Sequence, residues 1–312
     1  MIELSTVYMG IGFLLAAYSV IANDSVQTLG TFMSSNSKVR WQYLWIAASI
    51  LLVGTLGYSW YMYNGDISFG RLTKIPYQEV QWYHALAPGL LLILTRFGVP
   101  VSTSFLVLSA FASSLVLEKM LLKSVIGYII AAIFAYALWF IVARFLDESK
   151  KVREEANNTW KVAQWCSTGL LWFMWLSHDM ANIAVFLPRE LSVLHLCIVL
   201  FVFVSLLAVM FYERGGKIQS IVKQKTSTKF IRSATIVDLA YAFILWYFKE
   251  LNNIPMSTTW VFVGLLAGRE FAIATVTNKK MKNVFPMVRR DFAKMTIGLL
   301  ASIGIAVSVH YL

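Results

Sequence analysis

Two carboxylates and two hydroxyl clusters carry the chemistry this sequence offers. Asp24 lies in Ala22-Asn23-Asp24, within a stretch that is otherwise apolar from Leu4 to Phe32. Asp179 lies in Ser177-His178-Asp179-Met180-Ala181-Asn182, within a second such stretch at 160–187. Ser102-Thr103-Ser104 follows Pro100, and Ser257-Thr258-Thr259 follows Pro255 and Met256. From Asp24 to Ser102 is 78 residues, and so is Asp179 to Ser257, so one offset of 155 residues relates all four landmarks. A charge at the centre of a membrane helix costs about 2.5–3.5 kcal/mol on insertion scales, and is normally paired or functional. A carboxylate beside opened backbone carbonyls suits a small cation or a proton. Hydroxyls at a helix N-terminus, where free N–H groups and the positive dipole end point outward, suit an anion.

This chemistry divides the polar residues into two sets. Asn23, Asp24 and Asp179 form the candidate cation site. Ser102, Thr103, Ser104, Ser257, Thr258, Thr259, Gln27, Asn182 and His178 form the candidate anion site. The bland alternatives are helix caps for the hydroxyls and helix-to-helix links for the amides. Gln27 and Asn182 each stand three residues after their Asp, so each shares a helical face with it. His178 occupies the position of Asn23 in the second set, and reads either as an anion donor or as a core histidine. Arg96 and Arg269 are left outside the site. Such residues more often snorkel or pair, and Glu270 suits Arg269 only loosely because adjacent helical residues do not face each other. His84, His195 and His310 lack a convincing partner in sequence. No nucleotide-binding loop or metal-ligand cluster is visible, and contiguous Ser177-His178-Asp179 is not by itself a catalytic triad. The reading is therefore a non-enzyme without a resident cofactor, with a small cation or a proton at the carboxylates.

The elements that must position these residues are membrane helices. The chain has 312 residues, 58% apolar and 14% charged, far below the roughly 25% charged of soluble domains. Ten apolar segments recur, at about 4–22, 42–63, 82–96, 101–117, 124–143, 162–178, 193–212, 233–248, 257–275 and 294–311. The expected fold is an all-α integral membrane protein of ten spans or re-entrant pairs. It forms two inverted repeats, 1–146 and 162–312, joined by a charged cytoplasmic linker at 147–161. Five crossings per copy make the second copy enter from the opposite side. The length from Leu4 to Phe32 predicts a broken helix near Asn23-Asp24 at the midplane, and residues 160–187 predict another near His178-Asp179. Segments 82–117 and 233–275 are each either two spans or a re-entrant hairpin with the hydroxyl cluster at its tip.

The net charge of +11 reads as loop charge rather than nucleic-acid binding. With loop 213–232 on the cytoplasmic side, alternation also places the basic loops 34–41, 144–161 and 278–292 there. The expectation is a multi-pass protein of the plasma (inner) membrane with both termini outside the cytoplasm. The N-terminus reads as a first span that stays. Cys166 and Cys197 fall in apolar segments and read as buried free thiols.

At these residues the chain resembles the inorganic phosphate transporter family, the PiT-type permeases. Members carry two inverted copies of Gly-Ala-Asn-Asp-Val-Ala-Asn, each paired with Pro-Val-Ser-Thr-Thr-His. Ala22-Asn23-Asp24 with Gly30-Thr31 and Ser37-Lys38 is similar to the first copy, and Pro100-Val101-Ser102-Thr103-Ser104 to its partner. Asp179-Met180-Ala181-Asn182, preceded by Gln164, is similar to the second copy, and Pro255-Met256-Ser257-Thr258-Thr259 with Gly264 and Gly268 to the last motif. The resemblance implies uptake of phosphate coupled to sodium or protons, with phosphate on the Ser/Thr clusters and amides and cations on the Asn-Asp segments. A minority of relatives carry sulfate. The chain departs from the pattern at Ile21, at Leu176-Ser177-His178, at Gln27, and at Phe105 and Trp260, which stand where both motif histidines would be.

The expected function is thus cation-coupled symport of inorganic phosphate, with the lipid bilayer as its surroundings and no nucleic-acid partner. A homo-oligomer is left open. The alternatives are a sulfate or other oxyanion permease and a transport-inactive anion sensor or scaffold. An intramembrane enzyme using His178 and Asp179 is the remaining class.

Overall fold

The computed structural model describes residues 3–96, 101–145, 158–215, 231–276 and 284–310, and every regular element among them is helical. The chain runs α1 (Leu4–Ser19), a π-helical turn (Val20–Asp24), α2 (Ser25–Ser35) and α3 (Trp41–Met62). Two 3₁₀ turns, Arg71–Lys74 and Trp82–Ala85, lead to α4 (Leu86–Arg96), α5 (Thr103–Leu108) and α6 (Ser114–Phe145). The second half holds α7 (Asn158–Asp179), α8 (Ala181–Ala184), α9 (Val193–Tyr212), α10 (Ile231–Leu251), α11 (Thr258–Val276) and α12 (Phe285–His310).

Among the described residues, six helices are long and apolar enough to cross a membrane: α3, α6, α9, α10, α11 and α12. The chain is a multi-pass membrane protein. The expected spans at 4–22, 82–96, 101–117 and 162–178 are not among these six. Leu4–Ser35 is divided by the π turn, and α7 carries buried Gln164, Ser167, Thr168, Ser177, His178 and Asp179, which lower its hydropathy. The two hairpin segments, alike in sequence, differ in length. α4 and α5 have 11 and 6 residues, and even α4 is only about 16 Å long against a hydrocarbon core of about 30 Å. α10 and α11, with 21 and 19 residues, are full-length helices.

The predicted break near Asn23-Asp24 is a π turn rather than an interruption. The Ser25 N–H bonds Val20 O, one residue further back than an α-helix would reach, and the Ser25 hydroxyl donates to the skipped carbonyl of Ile21. Such single π turns bulge one residue out of register, and recur at functional sites. In the second copy α7 ends at Asp179 and α8 is a single turn, but Met180 between them keeps helical angles and its bond to Leu176 O, so the ladder is disturbed and the chain direction is not broken.

Burial separates inner from outer helices. In α11, 72% of the spanning residues are buried, against 22% in α6 and in α12. α11 lies along α6 with little room between backbones. A Cβ on Gly264 or Gly268 would run into the Tyr128 or Ala132 carbonyl of α6, so this small-xxx-small face works only as glycine. α10 lies along α7, and α3 packs on α9. One large buried apolar cluster runs from Phe13 to Met295, with both halves of the chain contributing, and a small second one joins Leu91, Val101 and Leu106. Its centre includes Trp172 and Trp175, stacked at 5.0 Å. Cys166 and Cys197 are free but exposed, not buried. In a helix apolar all round, sequence cannot separate the lipid-facing side from the protein-facing one.

Candidate functional site

The π turn and α2 present Asp24 and Gln27, the end of α7 and α8 present Asp179 and Asn182, and the starts of α5 and α11 present the hydroxyls. All these side chains are buried, the two carboxylates at 1% exposure each. The structure brings them into one cluster. Thr103 Oγ1 donates to Asp24 Oδ2, and Thr258 Oγ1 donates to Asp179 Oδ2 at 2.6 Å. Each threonine lies 79 residues after its carboxylate.

The amides repeat the pattern. Gln27 Nε2 donates to Asp24 Oδ1 at 3.3 Å, and Asn182 Nδ2 to Asp179 Oδ1 at 2.9 Å. Two further bonds cross between the sets. Gln27 Nε2 also reaches Thr259 Oγ1 at 3.3 Å, and Ser104 Oγ donates to Asp179 Oδ1 at 3.5 Å. Among the described residues, Gln27 Oε1 and Asn182 Oδ1 are buried acceptors left without a donor. Each would be satisfied by a proton-bearing ligand or a desolvated cation, and leaving it bare costs about 1–3 kcal/mol.

Within each triplet the three hydroxyls have different duties. Ser102 Oγ caps α5 by accepting from Phe105 N at 3.2 Å, and Ser257 Oγ caps α11 by accepting from Trp260 N at 3.2 Å. The second residue binds a carboxylate and the third bridges the two sets. The N-cap alternative therefore holds for the first serine of each triplet, whose O–H proton has no acceptor among the described residues.

The remaining candidates divide. His178 Nε2 lies 2.8 Å from Leu245 O and 3.4 Å from Arg71 Nη2, so it ties α7 to α10 beside the cluster. The Asn23 side chain and the Arg96 side chain lie outside the described residues. Arg269 does pair with Glu270, at 2.9 Å, despite their adjacency, so this buried arginine has its counter-charge on its own helix. Ser177 Oγ donates to Met174 O at 2.7 Å, and none of the bonds described links Ser177, His178 and Asp179 into a relay. No group of three or more His, Cys, Asp or Glu with metal-site geometry occurs among the described residues.

Two buried ionic residues near the cluster were not singled out from sequence. Asp238 on α10 accepts from Thr31 of α2 at 2.7 Å and from Thr168 of α7 at 2.5 Å, joining the helices that carry the two carboxylates. Arg71 is 1% exposed, and its Nε donates to Ser177 O at 2.6 Å. The available signal for Asp238 was a lone carboxylate inside the apolar segment 233–248. Arg71 gave none, because it lies in a loop where a basic residue is ordinary.

No protein-family model matches the sequence, and no curated protein sequence matches it. A solved structure described as "The sodium-dependent phosphate transporter" aligns with TM-score 0.65 and 17% identity, over 99% of this chain and 98% of that one. Across essentially its whole length, the chain shares the fold of that transporter.

Proposed function

We propose that the chain is a secondary active transporter of the plasma membrane that carries inorganic phosphate together with a cation. The observation that carries this reading is the convergence of Asp24, Asp179 and both hydroxyl triplets in one buried cluster, each carboxylate held by a threonine 79 residues on. The fold shared with a sodium-dependent phosphate transporter supports it. The constant offset of 155 residues supports two inverted repeats with the substrate where they meet. In that arrangement Ser102, Thr103, Ser104, Ser257, Thr258 and Thr259, with Gln27, Asn182 and His178, hold the oxyanion, and Asp24 and Asp179, with Asn23, hold the coupling charge.

The chemistry favours phosphate over sulfate. The free acceptors Gln27 Oε1 and Asn182 Oδ1, beside two carboxylates, match an anion that still carries a proton at neutral pH. Sulfate brings four acceptor oxygens and no donor to such a site. A cation bound at the carboxylates lowers the cost of bringing an anion into the same low-dielectric cluster. Rocking of one helical bundle against the other would expose the cluster to each side in turn.

The test is uptake of phosphate and sulfate by proteoliposomes under sodium and proton gradients imposed separately. Phosphate uptake driven by one of the gradients is expected, with weak competition by sulfate. Asp24→Asn or Asp179→Asn should abolish uptake while leaving insertion intact. Phosphate binding without flux under either gradient would turn the reading toward an anion sensor.

A further inference from the structure

The two carboxylates are alike in sequence but not in surroundings. The donors described around Asp24, Thr103 and Gln27, are both neutral. Asp179 has neutral donors too, in Thr258, Asn182 and Ser104, but a guanidinium lies behind it. Arg71 enters from the loop after α3, positioned by the left-handed Gly70 (φ 71°). Its Nε bonds Ser177 O at 2.6 Å and its Nη2 lies 3.4 Å from His178 Nε2, the two residues that immediately precede Asp179. Its Nη1 is buried with no partner among the described residues.

An arginine this deep needs a counter-charge. A buried ion left alone costs several kcal/mol, and Arg71 forms no ion pair within 4.0 Å among the described residues. Burial pulls the Arg71 guanidinium down to about 10, and the field of Asp179 opposes that pull most, ahead of Tyr63 and Glu250. It is therefore charged at neutral pH. The other cations nearby are committed elsewhere: Lys123 Nζ donates to Asn252 O, Asn252 Oδ1 and Ile254 O at 2.8–3.1 Å, holding the stretch of chain that leads into Ser257, and Lys249 Nζ lies over the Phe69 and Phe173 rings, 5.4 and 5.6 Å from their centroids. His178 is bonded through Nε2 to Leu245 O.

We infer that Arg71 is a built-in positive charge for Asp179, standing where the second carboxylate would otherwise need a mobile cation. A single coupling cation, at Asp24, then accompanies each phosphate. This deepens the transport reading and rests on it. A fixed arginine does the electrostatic work of a bound ion at Asp179 without moving across the membrane, so the second repeat supplies charge balance and the first supplies coupling.

The experiment measures phosphate, sodium and proton entry in parallel in proteoliposomes of the full chain. The unmodified protein should move one cation per phosphate. Arg71→Gln should double that ratio, because Asp179 then recruits an ion, and Arg71→Lys should keep it at one. Arg71→Gln/Asp179→Asn removes both charges together, so it should assemble even where Arg71→Gln does not, though without uptake. A ratio of two in the unmodified protein overturns the inference with no variant needed. So does an unchanged ratio in an Arg71→Gln protein that still transports, or a double variant no better assembled than a misfolded Arg71→Gln. In all three outcomes the transport reading survives, whereas absence of phosphate flux from the unmodified protein removes both.

Discussion

Phe105 and Trp260, 155 residues apart, meet edge to face with their ring centroids 5.7 Å apart. Each directly follows a hydroxyl triplet, and each is buried. The positions where the resemblance leads one to expect two histidines are therefore filled by one aromatic contact that joins the starts of α5 and α11. Such a pair contributes about 0.5–1.5 kcal/mol beyond its buried area. A double-mutant cycle of Phe105→Ala and Trp260→Ala, read by unfolding in detergent, should give a coupling energy in that range. Strict additivity would mean that the rings pack independently.

Thr103 and Thr258 should be equivalent in the laboratory as they are in the structure. Thr103→Val or Thr258→Val removes the donor to one carboxylate while keeping the shape. Between membrane helices such bonds contribute about 0.6 kcal/mol on average and about 1.7 at most. The stability loss should thus be small and the loss of phosphate uptake large. Thr→Ser at either position should retain most uptake. A valine variant with normal uptake would place these hydroxyls outside the transport machinery.

Asp238 should behave as a structural hub. Asp238→Ala strands the buried Thr168 hydroxyl and leaves the buried Thr31 hydroxyl only its longer bond to Thr28 O, at 3.2 Å. The expected cost is about 1–3 kcal/mol, seen as a lower melting temperature. In the background of Thr31→Val/Thr168→Val the same change should cost much less, because no donor is left without its acceptor. Equal costs in both backgrounds would show that the carboxylate acts through something other than these two bonds.

Gly264→Ala and Gly268→Ala should each prevent normal assembly. The added methyl meets the Tyr128 or Ala132 carbonyl, and a backbone neighbour cannot swing aside as a side chain can. Gly304→Ala is the control, since nothing lies within 4 Å of that position. It should be neutral or slightly stabilising, as alanine is favoured over glycine in helices by about 1 kcal/mol. Size-exclusion profiles of the purified variants give the comparison, and a well-assembled Gly268→Ala would argue against the tight α6–α11 contact.

Much of the site was legible because membrane insertion makes polar residues conspicuous. Asp24, Asp179 and the hydroxyl triplets stood out against an apolar background, and their equal spacing marked them as a set. The same background hid other things. Cys166 and Cys197 read as buried but are exposed, because lipid and protein interior select the same apolar residues. The segments 82–117 and 233–275 read alike, yet they form short helices in one case and long ones in the other.

The sequence by itself determined that this chain lives in a membrane, which polar residues it carries there, and that they come as two matched sets. Hydropathy and spacing are one-dimensional properties, so they suffice for those conclusions. Only the tertiary structure decided that Gln27 reaches Thr259 across the sets, that the first serine of each triplet caps a helix, and that Arg71 is folded in behind Asp179. Those facts depend on which helices lie side by side. That is settled by backbone approach at Gly264 and Gly268 and by the bonds of Asp238, contacts between residues far apart along the chain.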